Sequence, residues 1–97
     1  MIQSFANRGT EDVFNGRQSR QARRICPAEI WRVARRKLDQ LDSVSQLVHL
    51  SIPPGNRLEA LRGNRQGQHS IRINEQYRVV FTWTDSGPPE VEITDYH

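Results

Sequence analysis

Ser70-Ile71-Arg72-Ile73-Asn74 and, two residues on, Tyr77-Arg78-Val79-Val80-Phe81-Thr82-Trp83 decide the fold of this chain. Large apolar residues occupy the odd positions of both runs, while polar residues fill most of the even ones. Side chains of a strand alternate between its two faces, so this period of two predicts strands whose odd-numbered face is buried. Downstream, Thr84-Asp85-Ser86-Gly87-Pro88-Pro89 reads as a turn, and Val91 and Ile93 alternate with Glu92 and Thr94 in a strand running to the end. Upstream, Gly63–Gly67 is a turn, Leu58 and Leu61 flank a short strand, and Pro53-Pro54-Gly55-Asn56 forces a loop.

In the first half of the chain the period changes. After Pro27, a residue suited to a helix start, Ile30, Ala34, Leu38 and Leu41 share one helical face, predicting a helix to about Ser43. Its other face carries Arg32, Arg35 and Arg36, read as a solvated surface. Val44, Leu47, Val48 and Leu50 supply a further helical or irregular piece packed on the core. Thr10 is the expected cap of a short helix from Glu11 to about Gly16, and Ile2–Phe5 reads as a first strand. Arg17–Arg24, polar and aperiodic, reads as a solvated loop or mobile connection. Strand, two helices, then a series of antiparallel strands is an α+β layout in one domain, 1–97. A small, twisted, antiparallel-rich sheet carries the N-terminal helices on one face.

With 97 residues there is room for one core. No apolar run is long enough for a membrane span, and Met1–Phe5 lacks the pattern of a secretory signal, so a cytoplasmic protein without a membrane partner is expected. The lone Cys26 agrees with a reducing compartment and sits in no metal-ligand spacing. Charge is laid out unevenly. Nine basic residues against three acidic lie between Arg8 and Lys37, and five arginines against Glu59 and Glu75 between Arg57 and Arg78. The net charge is +3 and all the basic residues but Lys37 are arginine, the residue suited to bidentate phosphate contact and base stacking. A polyanionic partner is expected, nucleic acid ahead of membrane.

The chain ends on Asp95-Tyr96-His97. A terminal histidine is ordinarily idle, but Asp95 and the terminal carboxylate favour the imidazolium of His97, and strand alternation puts Asp95 and His97 on the side of Val91 and Ile93. The strand ends beside the hairpin bearing Arg78, and Arg57, Arg62, Arg65 and Arg72 lie in the same region, able to hold a phosphate. Phosphodiester cleavage needs these parts: a base for the ribose 2′-OH, a cation for the crowded phosphorane and an acid for the departing 5′ oxygen. No metal-ligand cluster, glycine-rich phosphate loop or Ser/His/Asp set is present, so cleavage without metal or cofactor is the simpler scheme. His69 is read as a packing residue and His49 as a bystander.

Gly55–Arg65, Gly67–Asn74, Gln76–Phe81 and Val91–His97, with the opening Met1–Phe5, together resemble the HigB toxins of the RelE/ParE superfamily, part of bacterial type II toxin–antitoxin systems. The resemblance implies a RelE-like fold and a toxin that enters the ribosomal A site and cuts messenger RNA. It implies neutralisation by a HigA-type helix-turn-helix antitoxin, the pair binding its operator DNA. By position, the family's catalytic arginine falls on Arg78 and its terminal Asp-Tyr-His on Asp95, Tyr96 and His97. Its basic position before the turn glycine, often lysine, falls on Arg62, which suits an electrostatic clamp better than an acid. Glu59 stands where some relatives have histidine, implying fewer proton-transfer groups. The expected phosphate contacts are Arg57, Arg65 and Arg72. Arg23 and Arg24, in the basic segment, are expected to meet ribosomal RNA or to become ordered against the antitoxin. The alternatives are a non-enzymatic, ParE-like inhibitor of a protein target, and a weakly active toxin serving mainly as operator co-repressor.

Overall fold

The alternating run forms an antiparallel hairpin. β2 (Gln68–Arg72) and β3 (Tyr77–Thr82) pair from Gln68↔Thr82 to Arg72↔Arg78. Asn74 closes the turn between them, its Oδ1 accepting from the backbone N–H of Gln76 at 2.8 Å and of Tyr77 at 2.7 Å. The short β1 (Glu59–Ala60) joins β2, and β4 (Glu92–Asp95) joins β3, giving a four-stranded antiparallel sheet in the order β1-β2-β3-β4. The computed structural model describes residues 1–95; Tyr96 and His97 lie outside them.

Ile2–Phe5, expected as a strand, makes only a single parallel bridge, Phe5↔Val91. The segment before it is drawn onto the Thr84–Pro89 turn instead, with the Gln3 N–H donating to the Pro88 carbonyl at 2.9 Å. Gly87 (φ 116°) allows that contact, because a Cβ there would sit 1.9 Å from the Met1 carbonyl oxygen.

The helices differ from expectation at the N-terminal end. α1 (Arg8–Asn15) starts earlier than Glu11, capped by Asn7 rather than Thr10: the Asn7 side chain accepts from the Thr10 N–H at 2.8 Å. Thr10 is buried, and its hydroxyl accepts from the Ile93 N–H at 3.0 Å, tying α1 to β4. Residues 17–24 are not a continuous loop, since Arg20–Ile25 forms α2. Ser19 caps it by accepting from the Ala22 N–H at 3.0 Å, while its own hydroxyl donates to the buried Asp12 carboxylate at 2.6 Å. The two helices cross at Gly9, where a Cβ would lie 2.1 Å from Ile25 Cγ1 and 2.5 Å from the Gln21 carbonyl. α3 (Trp31–Ser43), entered through a 3-10 turn at Ala28–Ile30, follows the expected periodicity and buries Ala34, Leu38 and Leu41. No helix among the described residues is long and apolar enough to cross a membrane.

The core lies between this helical layer and one sheet face, where Leu38 and Leu41 meet Ile71, Val79, Phe81 and Ile93. Each such side chain, fully buried, contributes about 1.5–3 kcal/mol. Asn56, also buried, anchors the loop before β1. It accepts from Lys37 Nζ at 2.5 Å and donates to Gln40 Oε1 at 2.9 Å and to the Leu50 carbonyl at 3.1 Å. On β3 the odd residues face the core as expected, but Val80, on the other face, is fully buried as well. Its neighbours in register are Ser70 and Glu92, and Arg65 reaches across that face to Gln68 (3.3 Å) and Glu92 (3.5 Å), so long polar side chains cover it.

Candidate functional site

The sheet face turned away from the helices carries the candidate site. Residues directly opposite one another in antiparallel strands share a face, so Arg72, Arg78 and Thr94 form one row across β2, β3 and β4. The adjacent row is Glu59, Ser70, Val80 and Glu92. Two arginines facing each other across a strand pair repel, a cost that a sheet selected for stability alone would avoid. Here that repulsion is offset by carboxylates at the margins. Arg78 pairs with Glu59 at 3.0 Å, and Arg72 approaches Glu75 at 4.0 Å.

Arg78 is held in place more firmly than an ordinary surface arginine. Its side chain is only 12% exposed. Nη1 donates to the buried Ser70 hydroxyl at 3.0 Å and to the Arg57 carbonyl at 3.4 Å, and Nη2 donates to Glu59 Oε1. Arg57 presents that carbonyl from the left-handed region (φ 46°, ψ 58°), a conformation costly for a residue with a Cβ and often found at functional sites. The arrangement gives a planar donor aimed from a rigid strand, suited to a phosphate oxygen. Glu59 also lines an open depression of about 630 Å³ with Ala60, Leu61 and Arg62. Arg62 thus shares that depression with Glu59, while Arg78 is not part of its lining.

The other expected residues divide. Arg65 and Arg72 lie on or beside this face, both partnered as described. Arg57 contributes its carbonyl, while its side chain is exposed. Asp95 stands opposite Tyr77, on the helix-facing side, where its carboxylate accepts from Gln76 Nε2 at 2.9 Å; the register therefore does not bring it to Arg78. Arg23 and Arg24 are exposed on α2, in the helical layer. Tyr96 and His97 fall outside the described residues. His69 stacks on Phe81 (centroids 6.2 Å, interplanar angle 22°) on the core side, and His49 is exposed on the 3-10 turn Leu47–Ser51. Among the described residues no group of three or more His, Cys, Asp or Glu forms a metal-holding arrangement.

Ser70 and Thr94 were not singled out by sequence, and Glu59 only as a departure from relatives. Ser70 carries a signal in retrospect: it is a small polar residue on the arginine side of an alternating strand. Thr94 Oγ1 is buried and has no hydrogen-bond partner among the described residues, directly beside Arg78 in register.

Comparison with known proteins agrees with this architecture. The family model described as RelE-like toxin of type II toxin–antitoxin system HigB matches residues 3–97. Toxin HigB-1 of Vibrio cholerae is 48% identical over 62 residues, which cover 64% of this chain and 65% of that protein. An uncharacterized protein of Haemophilus influenzae is 33% identical over 60 residues, covering 62% and 59%. The chain thus matches less than two thirds of the length of these relatives, 65% and 59%. Among solved structures, a chain of the YoeB–YefM complex from Staphylococcus aureus superposes with a TM-score of 0.53 at 17% identity, covering 100% of this chain and 98% of that one. The YoeB/ParE toxin from Agrobacterium tumefaciens gives 0.52 at 18% identity, covering 98% and 99%. At that identity the likeness establishes the fold, α+β and RelE-like. With nearly the whole sequence matched by the family model, the chain belongs to the HigB-like family of RelE-like toxins of type II toxin–antitoxin systems.

Proposed function

We propose that this protein is a cytoplasmic endoribonuclease that cuts messenger RNA in the ribosomal A site without a metal or cofactor. In this reading it stops translation and is neutralised by a HigA-type helix-turn-helix antitoxin, with which it binds operator DNA. The observation that carries this reading is the pinned guanidinium of Arg78, set opposite Arg72 on the sheet face turned away from the helices, with Arg65 on the same face.

In the proposed reaction a scissile phosphate enters beside Arg78 and competes with the Glu59 carboxylate for its Nη2. A base takes the 2′-OH proton, the 2′ oxygen attacks phosphorus, and the 5′ oxygen leaves with a proton, giving a 2′,3′-cyclic phosphate. Arg78 offsets the charge that grows on the phosphorane, with Arg62 as a second clamp. Tyr96 and His97 are the proposed proton-transfer groups, each contributing on the order of 10²–10⁴ in rate. Asp95, which accepts from Gln76 on the helix-facing side, is given no contact with the phosphate in this scheme. The requirement for the 2′-OH confines the chemistry to RNA.

The test is a purified translation reaction programmed with a defined message. Cleavage within the message, dependent on ribosomes, unaffected by chelator and abolished by adding the antitoxin, is the expected result. Intact message together with inhibited DNA gyrase would transfer the protein to the non-enzymatic class.

A further inference from the structure

A second concave surface lies in the helical layer, opposite the Arg78 face. It encloses about 510 Å³ between the end of α1 and one flank of α3, and Arg17, Trp31, Arg32, Arg35, Arg36 and Asp39 line it. The α3 residues recur at a spacing that sets them along one side of a helix, while Ala34, Leu38 and Leu41 face the core. The lining thus holds four arginines and one carboxylate.

The electrostatic contrast with the sheet face is informative. There, Arg65, Arg72 and Arg78 each have a carboxylate partner. In the cleft, Arg17 reaches the buried Asp12 only at 3.9 Å, and among the described residues no carboxylate lies within ion-pair distance of Arg32, Arg35 or Arg36. Arg32 and Arg36 are also a like-charged i,i+4 pair, which destabilises a helix that has no anion to receive it. Trp31 supplies a flat wall whose orientation is fixed, because its Nε1–H donates to the Cys26 carbonyl at 3.0 Å. Planar cations around a clamped indole suit a sugar-phosphate backbone with a base or ribose against the ring.

We propose that this cleft is a docking site for the backbone of a structured RNA, separate from the site of cleavage. The proposal rests on the ribonuclease reading and extends it, because an enzyme acting on a large RNA assembly needs purchase that does not occupy its reactive face. The cleft is lined by residues in and around α1 and α3 whereas Arg78 stands on the sheet face turned away from the helices, so the two surfaces are distinct. Arginine in place of lysine and the indole favour nucleic acid over an acidic protein segment.

The experiment uses full-length protein carrying Arg78→Ala, to prevent cleavage, and Trp83→Phe, which leaves Trp31 as the only tryptophan. A short labelled RNA hairpin is titrated at several salt concentrations while Trp31 emission and RNA anisotropy are followed. The expected result is saturable quenching of Trp31. In addition, Arg32→Glu with Arg36→Glu should lose tenfold or more in affinity, and its dependence of log K on log salt should be shallower by about 1.5, two fewer phosphates being neutralised. Anisotropy with Trp83 retained gives the same comparison if the tryptophan substitution unfolds the chain. Unchanged affinity and salt slope in the double variant would overturn the proposal, as would Trp31 emission that responds to poly-glutamate and not to RNA. Message cleavage assayed in parallel keeps the two ideas distinct. An enzyme that cleaves but does not bind RNA through the cleft retains the ribonuclease reading alone, and one that binds but does not cleave retains the cleft alone.

Discussion

Replacing Arg78 by alanine separates chemistry from stability, and the structure sets the size of each effect. For stability, the ion pair lost is to Glu59, a carboxylate 49% exposed, so its contribution is about 0–1 kcal/mol. Ser70, buried, loses one partner at about 1 kcal/mol, and relief of the repulsion from Arg72 returns a few tenths. The fold should therefore lose about 1–2 kcal/mol at most. For chemistry, removing a preorganised donor aimed at developing charge lowers the rate by about 10²–10³, or about 2.7–4 kcal/mol in the barrier. Single-turnover cleavage of ribosome-bound message, measured beside urea unfolding of the same preparation, compares the two. Arg78→Lys, which keeps the charge but loses the fork, should fall between alanine and the unaltered protein. A folded Arg78→Ala protein cleaving at the unaltered rate would refute the assignment of the guanidinium. A loss of cleavage that merely tracked the unfolded fraction would refute it equally.

Three further outcomes follow from contacts away from the site. Asn56→Ala should lower the urea-derived unfolding free energy by about 2–4 kcal/mol, since it strands Lys37 Nζ, Gln40 and the Leu50 carbonyl around a buried vacancy. Burial pushes the Cys26 thiol up to about 11, so the folded protein should resist a thiol-alkylating reagent at pH 8 and react only as it unfolds, which mass spectrometry reads directly. The Ser19 hydroxyl bond, followed by the Arg8 guanidinium, holds Asp12 below its ordinary 3.8. The folded pKa is the lower one, so the stabilisation is complete above that ordinary value and is lost as pH falls through the more acid range. Thermal melts should show the advantage of the native protein over Asp12→Asn shrinking on acidification.

Where periodicity is long and local, the sequence predicted the elements well. α3 has three turns of apolar spacing, and the hairpin carries its register in the alternation of Ile71 and Ile73 with Val79 and Phe81. α2 escaped because six residues show only Ala22 as a buried position, too few for a period to emerge among arginines. Its cap, Ser19, is itself fixed by Asp12 seven residues earlier, a tertiary contact that no propensity encodes. The cap of α1 was misplaced for a related reason. Thr10 is a good capping residue, but its hydroxyl is taken by Ile93, 83 positions away, and Asn7 fills the role.

The candidate site shows the same division between what a sequence carries locally and what only folding assembles. Arg78 and Arg72 were recognisable as basic residues on the polar side of strands, because alternation assigns sides. That they stand directly opposite each other depends on the turn length set by Asn74, and that Glu59 meets Arg78 depends on β1 joining β2. Glu59 looked like the loss of a proton-transfer group, whereas folded it is one of the two carboxylates, with Glu75, that keep the facing arginines tolerable. This changes what a substitution there means. Glu59→Gln removes the carboxylate against which an incoming phosphate must compete, but also exposes the Arg72–Arg78 repulsion, so substrate affinity should rise while stability falls. The two shifts have opposite signs because one guanidinium serves both the resting sheet and the phosphate.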